Sequence, residues 1–193
     1  MKRVPSSRPT VEQLEKELNR RRDGQAVKNA WTGTVWTLVV VAAITILCAT
    51  LWMPVFQIYG TSMTPTFQNG DIVASIKTGH FEAGEIVAFY YNNKILVKRV
   101  VAVAGDSVDI KTDGTVYVND IKLDEPYVDT KDSGQSDVKY PYQVPEGCAF
   151  VLGDHRKTSL DSRSSMIGSV SIDQVVGKVI FRVWPLSGIG PVE

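Results

Sequence analysis

Glu85-Ile-Val-Ala-Phe-Tyr-Tyr-Asn-Asn-Lys-Ile-Leu-Val-Lys-Arg-Val-Val-Ala-Val103 holds two runs of branched and aromatic residues separated by Asn92-Asn93. Such runs favour extended backbone, and asparagine tolerates the turn conformations between strands. The same texture recurs at Ile72–Ile76, Ser107–Ile110, Thr115–Val118, Cys148–Leu152 and Val175–Val183, with Asn-Gly, Thr-Gly, Ala-Gly, Asp-Gly and Glu-Gly signals between them. Asp113-Gly114 predicts a hairpin. No helical periodicity longer than a turn or two follows residue 53. Asp124–Val144 is polar, contains prolines and reads as a long surface loop. The chain therefore predicts a mainly β fold, with one all-β domain over residues 54–193.

Ahead of that domain lies a different texture. Residues 1–9 are basic and rich in Pro and Ser, a composition that favours disorder. Thr10 and Gln13 fit a capping box, and Val11, Leu14 and Leu18 share a face of a short helix closed by Arg20, Arg21 and Arg22. Residues 1–30 form this basic segment. Residues 31–53 carry no charge and exceed the ~20 apolar residues that a bilayer-crossing helix needs. Trp31, Trp36 and Trp52 suit interface anchors. A cleavable signal would have an apolar region of ~7–15 residues, shorter than this one. A lipoprotein signal fails because Cys48 follows Leu47 rather than a small residue.

The formal net charge of zero hides an asymmetry. Residues 1–30 hold eight Lys/Arg against four acids, and residues 31–193 hold thirteen against seventeen. Positive charge beside an apolar span predicts a cytoplasmic N-terminus and an extracytoplasmic remainder in the cell membrane. No basic patch is interleaved with aromatics, so no nucleic-acid partner is expected. Cys48 and Cys148 lie in different segments, and His80 and His155 are scattered, so neither a disulfide framework nor a metal site is expected.

Three features carry candidate chemistry. Ser62 lies in Gly60-Thr-Ser-Met-Thr-Pro-Thr66. That turn-like stretch is either a solvated connection or a nucleophile with room for a substrate backbone at Gly60. Lys98 stands in the valine-rich run quoted above. Strand alternation sends Leu96, Lys98 and Val100 one way and Val97, Arg99 and Val101 the other, so one of the two adjacent basic groups is expected to face the interior. Burial disfavours an ammonium ion, and a neutral lysine can take a serine proton. The third feature is Gly153-Asp-His-Arg-Lys-Thr-Ser-Leu-Asp-Ser-Arg163, in which Asp154/Arg156 and Asp161/Arg163 can pair or brace other segments and hold Ser159 near Lys98.

Together these blocks resemble the bacterial type I signal peptidases, membrane serine proteases that remove signal peptides. The match runs in order through the apolar span, Ser62-Met-Thr-Pro-Thr66 with Gly70-Asp71, Val97-Lys-Arg-Val-Val101 with Gly105-Asp106, and the 153–163 box. The resemblance implies Ser62 as nucleophile, Lys98 as general base, Ser159 as a hydrogen-bond partner orienting Lys98, and an Arg99–Asp154 pair behind the site. It implies that Asp161 and Arg163 hold the Ser159 loop, and that Ile58, Met63, Phe67 and Val97 wall pockets for small residues in an Ala-x-Ala-like substrate. The Ser62 N–H would form one arm of the oxyanion hole. Gly60 stands where some members carry a serine that supplies the other, as in Gram-positive-like short forms. The implied fold is the β-fold that signal peptidases share with self-cleaving repressors. The implied partners are signal peptides of exported preproteins, the lipid bilayer and the neighbouring secretion machinery, with no cofactor. His155 departs from the commoner asparagine and reads as a structural variant. The short Ile110–Pro145 stretch lacks the extra subdomain of larger members.

Rival readings fit less well. A Ser–His–Asp hydrolase would need His80 or His155, and no Gly-x-Ser-x-Gly elbow surrounds Ser62. Ser136-Asp-Val-Lys139 spells Ser-x-x-Lys, but between Gly134 and Pro141 rather than on a helix. A self-cleaving repressor would begin with a DNA-binding domain. A dedicated or non-catalytic signal-peptidase-like factor for pilin assembly is the remaining alternative, and non-catalytic relatives tend to lose the serine or lysine present here.

Overall fold

The computed structural model describes residues 11–192. The disorder expected at residues 1–9 and the Thr10 cap fall outside that range. Two compact units divide at Cys48/Ala49.

The first element is one helix, α1, Val11–Trp52, of 42 residues. The expected break between a short basic helix and the apolar span is absent. The reason is local: no proline stands between residues 10 and 53, and Pro54 then disfavours helical backbone at the residue before it. Within α1, Lys28–Leu47 is long and apolar enough to cross a membrane. At 1.5 Å per residue those 20 residues reach about 30 Å, the thickness of a hydrocarbon core. Trp31, Trp36, Leu38 and Ile46 are exposed. Thr34, Thr37 and Thr45 each donate to the carbonyl four residues back, so their hydroxyls are satisfied inside the helix.

The second unit is β-structure, as expected. Its strands are β1 Val55–Gln57, β2 Ile72–Ile76, β3 Ile86–Tyr91, β4 Lys94–Val103, β5 Ser107–Ile110, β6 Val116–Val118, β7 Ile121–Lys122, β8 Tyr142–Gln143, β9 Cys148–Leu152, β10 Val170–Ser171, β11 Val175–Trp184 and β12 Gly190–Pro191. One sheet runs β1-β2-β11-β3-β4-β9-β10, with β12 on β11; the other runs β7-β6-β5-β8. The six strands of four or more residues and the three-residue β6 are those expected from sequence, and the additions are two or three residues long. Asn92 and Asn93 sit at φ 44° and 63°, the left-handed pair that closes a two-residue hairpin between β3 and β4. Asp113-Gly114 turns between β5 and β6 as expected.

The cores explain the strand patterns. Ile58, Met63, Phe67, Val73, Ile86 and Val97 pack in one cluster. Val101, Phe150 and Leu152 of the first sheet pack on Val108, Ile110 and Val116 of the second. Both faces of β4 are thus covered, and Lys98 and Arg99 are both buried, at 2% and 3% exposure. Alternation alone anticipated one interior cation. The 124–144 stretch is also more than a surface loop: it contributes β8, the buried Val144 and the buried Glu125.

Candidate active site

Ser62 is set by the loop that joins β1 to β2. Ile58 N donates to Asp71 O and Gly70 N to Ile58 O, at 2.8 and 2.9 Å, clipping the base of the loop. Gly60 adopts φ +90°, a conformation that costs a side-chain-bearing residue energy, and its N–H donates to Asn69 Oδ1 at 2.9 Å. Beyond it the chain coils, with Thr64 N bonded to Thr61 O and Phe67 N to Met63 O. The Ser62 carbonyl accepts His155 N at 3.1 Å, which ties the loop to the 153–163 box. The Ser62 N–H has no acceptor among the described residues.

β4 brings Lys98 to that serine. Its Nζ stands 2.8 Å from Ser62 Oγ and donates to Val97 O at 3.0 Å. Burial lowers the amine from 10.5 to about 8, with Asp161 and Asp154 opposing the fall and Arg163 adding to it. Near that pH a substantial fraction is neutral. A neutral amine can donate one hydrogen to Val97 O and turn its lone pair to the Ser62 hydroxyl, the arrangement that proton transfer requires.

Arg99, the next residue, reaches Asp154 with a two-point pair at 3.1 and 3.0 Å and donates to Gly84 O at 2.9 Å. Thr66 Oγ1 donates to the same carboxylate at 2.5 Å. The guanidinium stacks on Tyr127, 4.0 Å from the ring centre. Asp161 takes Arg163 Nε at 2.8 Å and Nη2 at 2.9 Å, and its Oδ2 also accepts Gly153 N at 3.0 Å. Arg163 donates on to Asp132 O and Arg156 O. Of the two pairings offered by spacing, Asp161–Arg163 forms. Asp154 instead serves Arg99, and Arg156 pairs with buried Glu125 while donating to Gly153 O.

Ser159 lies beside the dyad without the expected bond. Its Oγ is buried with no hydrogen-bond partner among the described residues, and Lys98 Nζ bonds Ser62 and Val97 instead. Gly153 explains the closeness: a Cβ there would fall 2.2 Å from Ser159 Oγ and 2.5 Å from Ser62 O. His155 turns its ring to Thr158 Oγ1 at 2.8 Å, away from a base's role. Ser136 bonds Tyr140 and Arg163 O in a loop, which removes the Ser-x-x-Lys reading.

A cleft of about 830 Å³ leads up to the dyad, lined by residues 56–60, 62, 63 and 93–98. Ile58, Met63 and Val97 are in its wall. Phe67 is not; it is fully enclosed beneath, under the Arg182 guanidinium. One edge of the cleft is open backbone. β3 pairs with β4 along Lys94–Arg99, whereas β9 joins only from Arg99 onward. Residues 94–98 thus offer an unpaired strand edge beside the serine.

Glu125 and Tyr127 were not singled out by sequence, and Thr66 and Gly153 stood in the quoted blocks without a role of their own. Arg156 carried a usable signal: with Asp154 needed by Arg99 and Asp161 by Arg163, it lacked an acid, and the 124–144 stretch holds several.

Residues 31–184 match the family described as "Signal peptidase, peptidase S26". Signal peptidase IB of Staphylococcus aureus (strain Mu50 / ATCC 700699) is 41% identical over 153 residues, 68% of this chain and 78% of that protein. Signal peptidase I of Bacillus caldolyticus is 40% identical over 156 residues, 71% of this chain and 84% of that one. A crystal structure of a signal peptidase I from Enterococcus faecalis V583 covers 51% of this chain and 95% of its own, at 30% identity and a TM-score of 0.43. With four-fifths of its length matched, the chain belongs to the signal peptidase family, peptidase S26.

Proposed function

We propose that the protein removes signal peptides from exported preproteins, cutting after small residues with Ser62 as nucleophile and Lys98 as its base. One observation carries the reading: a buried lysine amine 2.8 Å from a serine hydroxyl, at the end of an apolar cleft beside an unpaired strand edge. The residues before the scissile bond lie extended along residues 94–98 and pair with that edge. Pockets walled by Ile58, Met63 and Val97 would favour the small residues of an Ala-x-Ala-like site.

The Ser62 proton passes to Lys98 Nζ as Oγ attacks the scissile carbonyl. The oxyanion meets the Ser62 N–H. A single such donor is worth ~10²–10³-fold, and Gly60 adds no hydroxyl to it. Lys98 returns the proton to the leaving amine, and an acyl-Ser62 intermediate remains. Water then attacks with Lys98 again as base. Arg99–Asp154 and Arg163–Asp161 hold β4 and the 153–163 box against each other behind the reacting atoms. The helix α1 anchors the enzyme in the cell membrane by one crossing over Lys28–Leu47, with Arg20–Arg22 cytoplasmic and the β domain outside, near the secretion machinery.

The test is cleavage of a preprotein by the full chain in detergent. Ser62→Ala and Lys98→Ala each abolish it if the reading is right. Retained activity in either variant contradicts it.

A further inference from the structure

We infer that Thr66 is a positioning residue for the dyad: its hydroxyl ties the loop that carries Ser62 to the Arg99–Asp154 pair and so sets the distance from Ser62 to Lys98. The inference rests on the proteolytic reading above and adds one side chain to its frame. Ser62 and Lys98 belong to different elements, the β1–β2 loop and β4, so contacts between those elements must hold their 2.8 Å separation. Asp154, 1% exposed, is where they meet. Its Oδ1 accepts Arg99 Nε at 3.1 Å, and its Oδ2 accepts Arg99 Nη2 at 3.0 Å and Thr66 Oγ1 at 2.5 Å. Arg99 adjoins Lys98 on β4, and Thr66 stands four residues after Ser62. The next residue of the box, His155, donates its N–H to Ser62 O at 3.1 Å. One carboxylate thus registers the nucleophile's loop against the strand that carries the base.

The hydroxyl is used in both senses. A carboxylate only accepts and a guanidinium only donates, so Thr66 Oγ1 gives its proton to Asp154 and takes Arg99 Nη2 at 3.4 Å. The backbone of the same residue is held from another side. Thr66 O accepts Arg182 Nη2 of β11, and that guanidinium lies over the Phe67 ring, 5.2 Å from its centre. Phe67 is wholly buried, and its N–H closes the turn back to Met63 O at 2.8 Å. Thr66 is therefore fixed against β11 through its carbonyl and against β4 and the 153–163 box through its hydroxyl. Valine has the same branched shape but no bond to offer, which leaves Asp154 one donor short and the loop free to slide along β4. Serine keeps the bond. Thr66 lies outside the residues that line the 830 Å³ cleft, so its loss should act on attack by Ser62 and not on peptide binding.

The experiment uses the full chain in detergent and one preprotein-derived peptide, with wild type, Thr66→Val and Thr66→Ser compared from pH 5.5 to pH 10. Thr66→Val should lower kcat by ~10–100-fold, the scale of a misplacement of up to 1 Å at the reacting group, with KM within ~2-fold of wild type. Thr66→Ser should stay within ~3-fold of wild type in kcat, because the bond to Asp154 remains. The bend of the pH profile should stay at about 8 in both variants, since the burial of Lys98 and the Asp154, Asp161 and Arg163 charges that face it are unchanged. A general loosening of the fold would instead admit water to Lys98 and move the bend up toward 10.5. The inference is overturned by a Thr66→Val enzyme within ~3-fold of wild type in kcat, or by a Thr66→Ser enzyme as slow as Thr66→Val. A loss carried in KM, or a bend that moves up, overturns it as well. If Thr66→Val does not fold, Thr66→Ser is compared with Thr66→Ala, which differs from it by the hydroxyl alone, and equal kcat values overturn the inference. No cleavage by the wild type above the Ser62→Ala background removes the proteolytic reading and this inference together.

Discussion

Replacing Lys98 by Met should make the protein more stable at neutral pH while removing the amine proposed as the base. The amine falls from 10.5 to about 8 on folding, chiefly through burial. At about 1.4 kcal/mol per pH unit, that fall corresponds to about 3 kcal/mol. The sign follows from the direction. Below pH 8 both folded and unfolded chains hold the proton, and the cost of burying it is fully present. Between about 8 and 10.5 the folded chain has lost the proton that the unfolded chain keeps, so stability rises with pH and the cost fades. Methionine fills a similar volume with no charge. It loses the bond to Val97 O, worth about 1 kcal/mol. Lys98→Met should therefore gain roughly 2 kcal/mol at pH 7 and lose about 1 kcal/mol above pH 10.5. Urea unfolding of the full chain in detergent, followed by tryptophan fluorescence at both pH values, measures the difference. Comparing Ser62→Ala with Ser62→Ala/Lys98→Met keeps self-cleavage out of the signal. A methionine variant less stable at pH 7, or a difference that ignores pH, would refute burial as the cause of the lowered pKa.

Three other substitutions probe the frame around the dyad. Asp154→Asn leaves the Arg99 charge buried beside a neutral amide and should cost about 3–5 kcal/mol in a urea titration. Gly153→Ala places a methyl 2.2 Å from Ser159 Oγ and 2.5 Å from Ser62 O. It should lower kcat/KM by at least ~10², the scale of a 1 Å misplacement at a reacting group. Ser159→Ala removes a buried hydroxyl that has no partner in the resting structure, so unfolding should show no loss, or a gain of up to about 1 kcal/mol. A loss above 1 kcal/mol would mean that the hydroxyl is bonded in the resting enzyme.

The β architecture was legible because it depends on local pattern, whereas the pairing of Ser62 with Lys98 followed from the resemblance to signal peptidases. Val, Ile and aromatic runs between Gly and Asn turns mark the longer strands, and a lysine inside such a run is conspicuous. What stayed hidden depends on contacts distant in sequence. Two- and three-residue strands such as β8 and β10 have no periodicity to read, and they form because β5 and β9 offer edges. The joint burial of Lys98 and Arg99 needed both faces of β4 covered, which alternation along one strand cannot reveal. Glu125 looked solvated in a polar stretch, since its partner Arg156 lies 31 residues away. Phe67, assigned to a pocket wall by resemblance, turns into the core. The continuity of α1 through Arg20–Arg22 was missed for the opposite reason. A charge cluster drew attention, although only a proline or a cap would have ended the helix.

Activation of Ser62 by a neutral Lys98 has a direct signature in the pH dependence of the rate. The most direct measurement is kcat/KM for one preprotein-derived peptide from pH 5.5 to pH 10, which reports the ionisation of the free enzyme. The rate should climb about tenfold per pH unit below the Lys98 pKa, bend at about 8 and level above it. A rate that stayed flat down to pH 6 would contradict it.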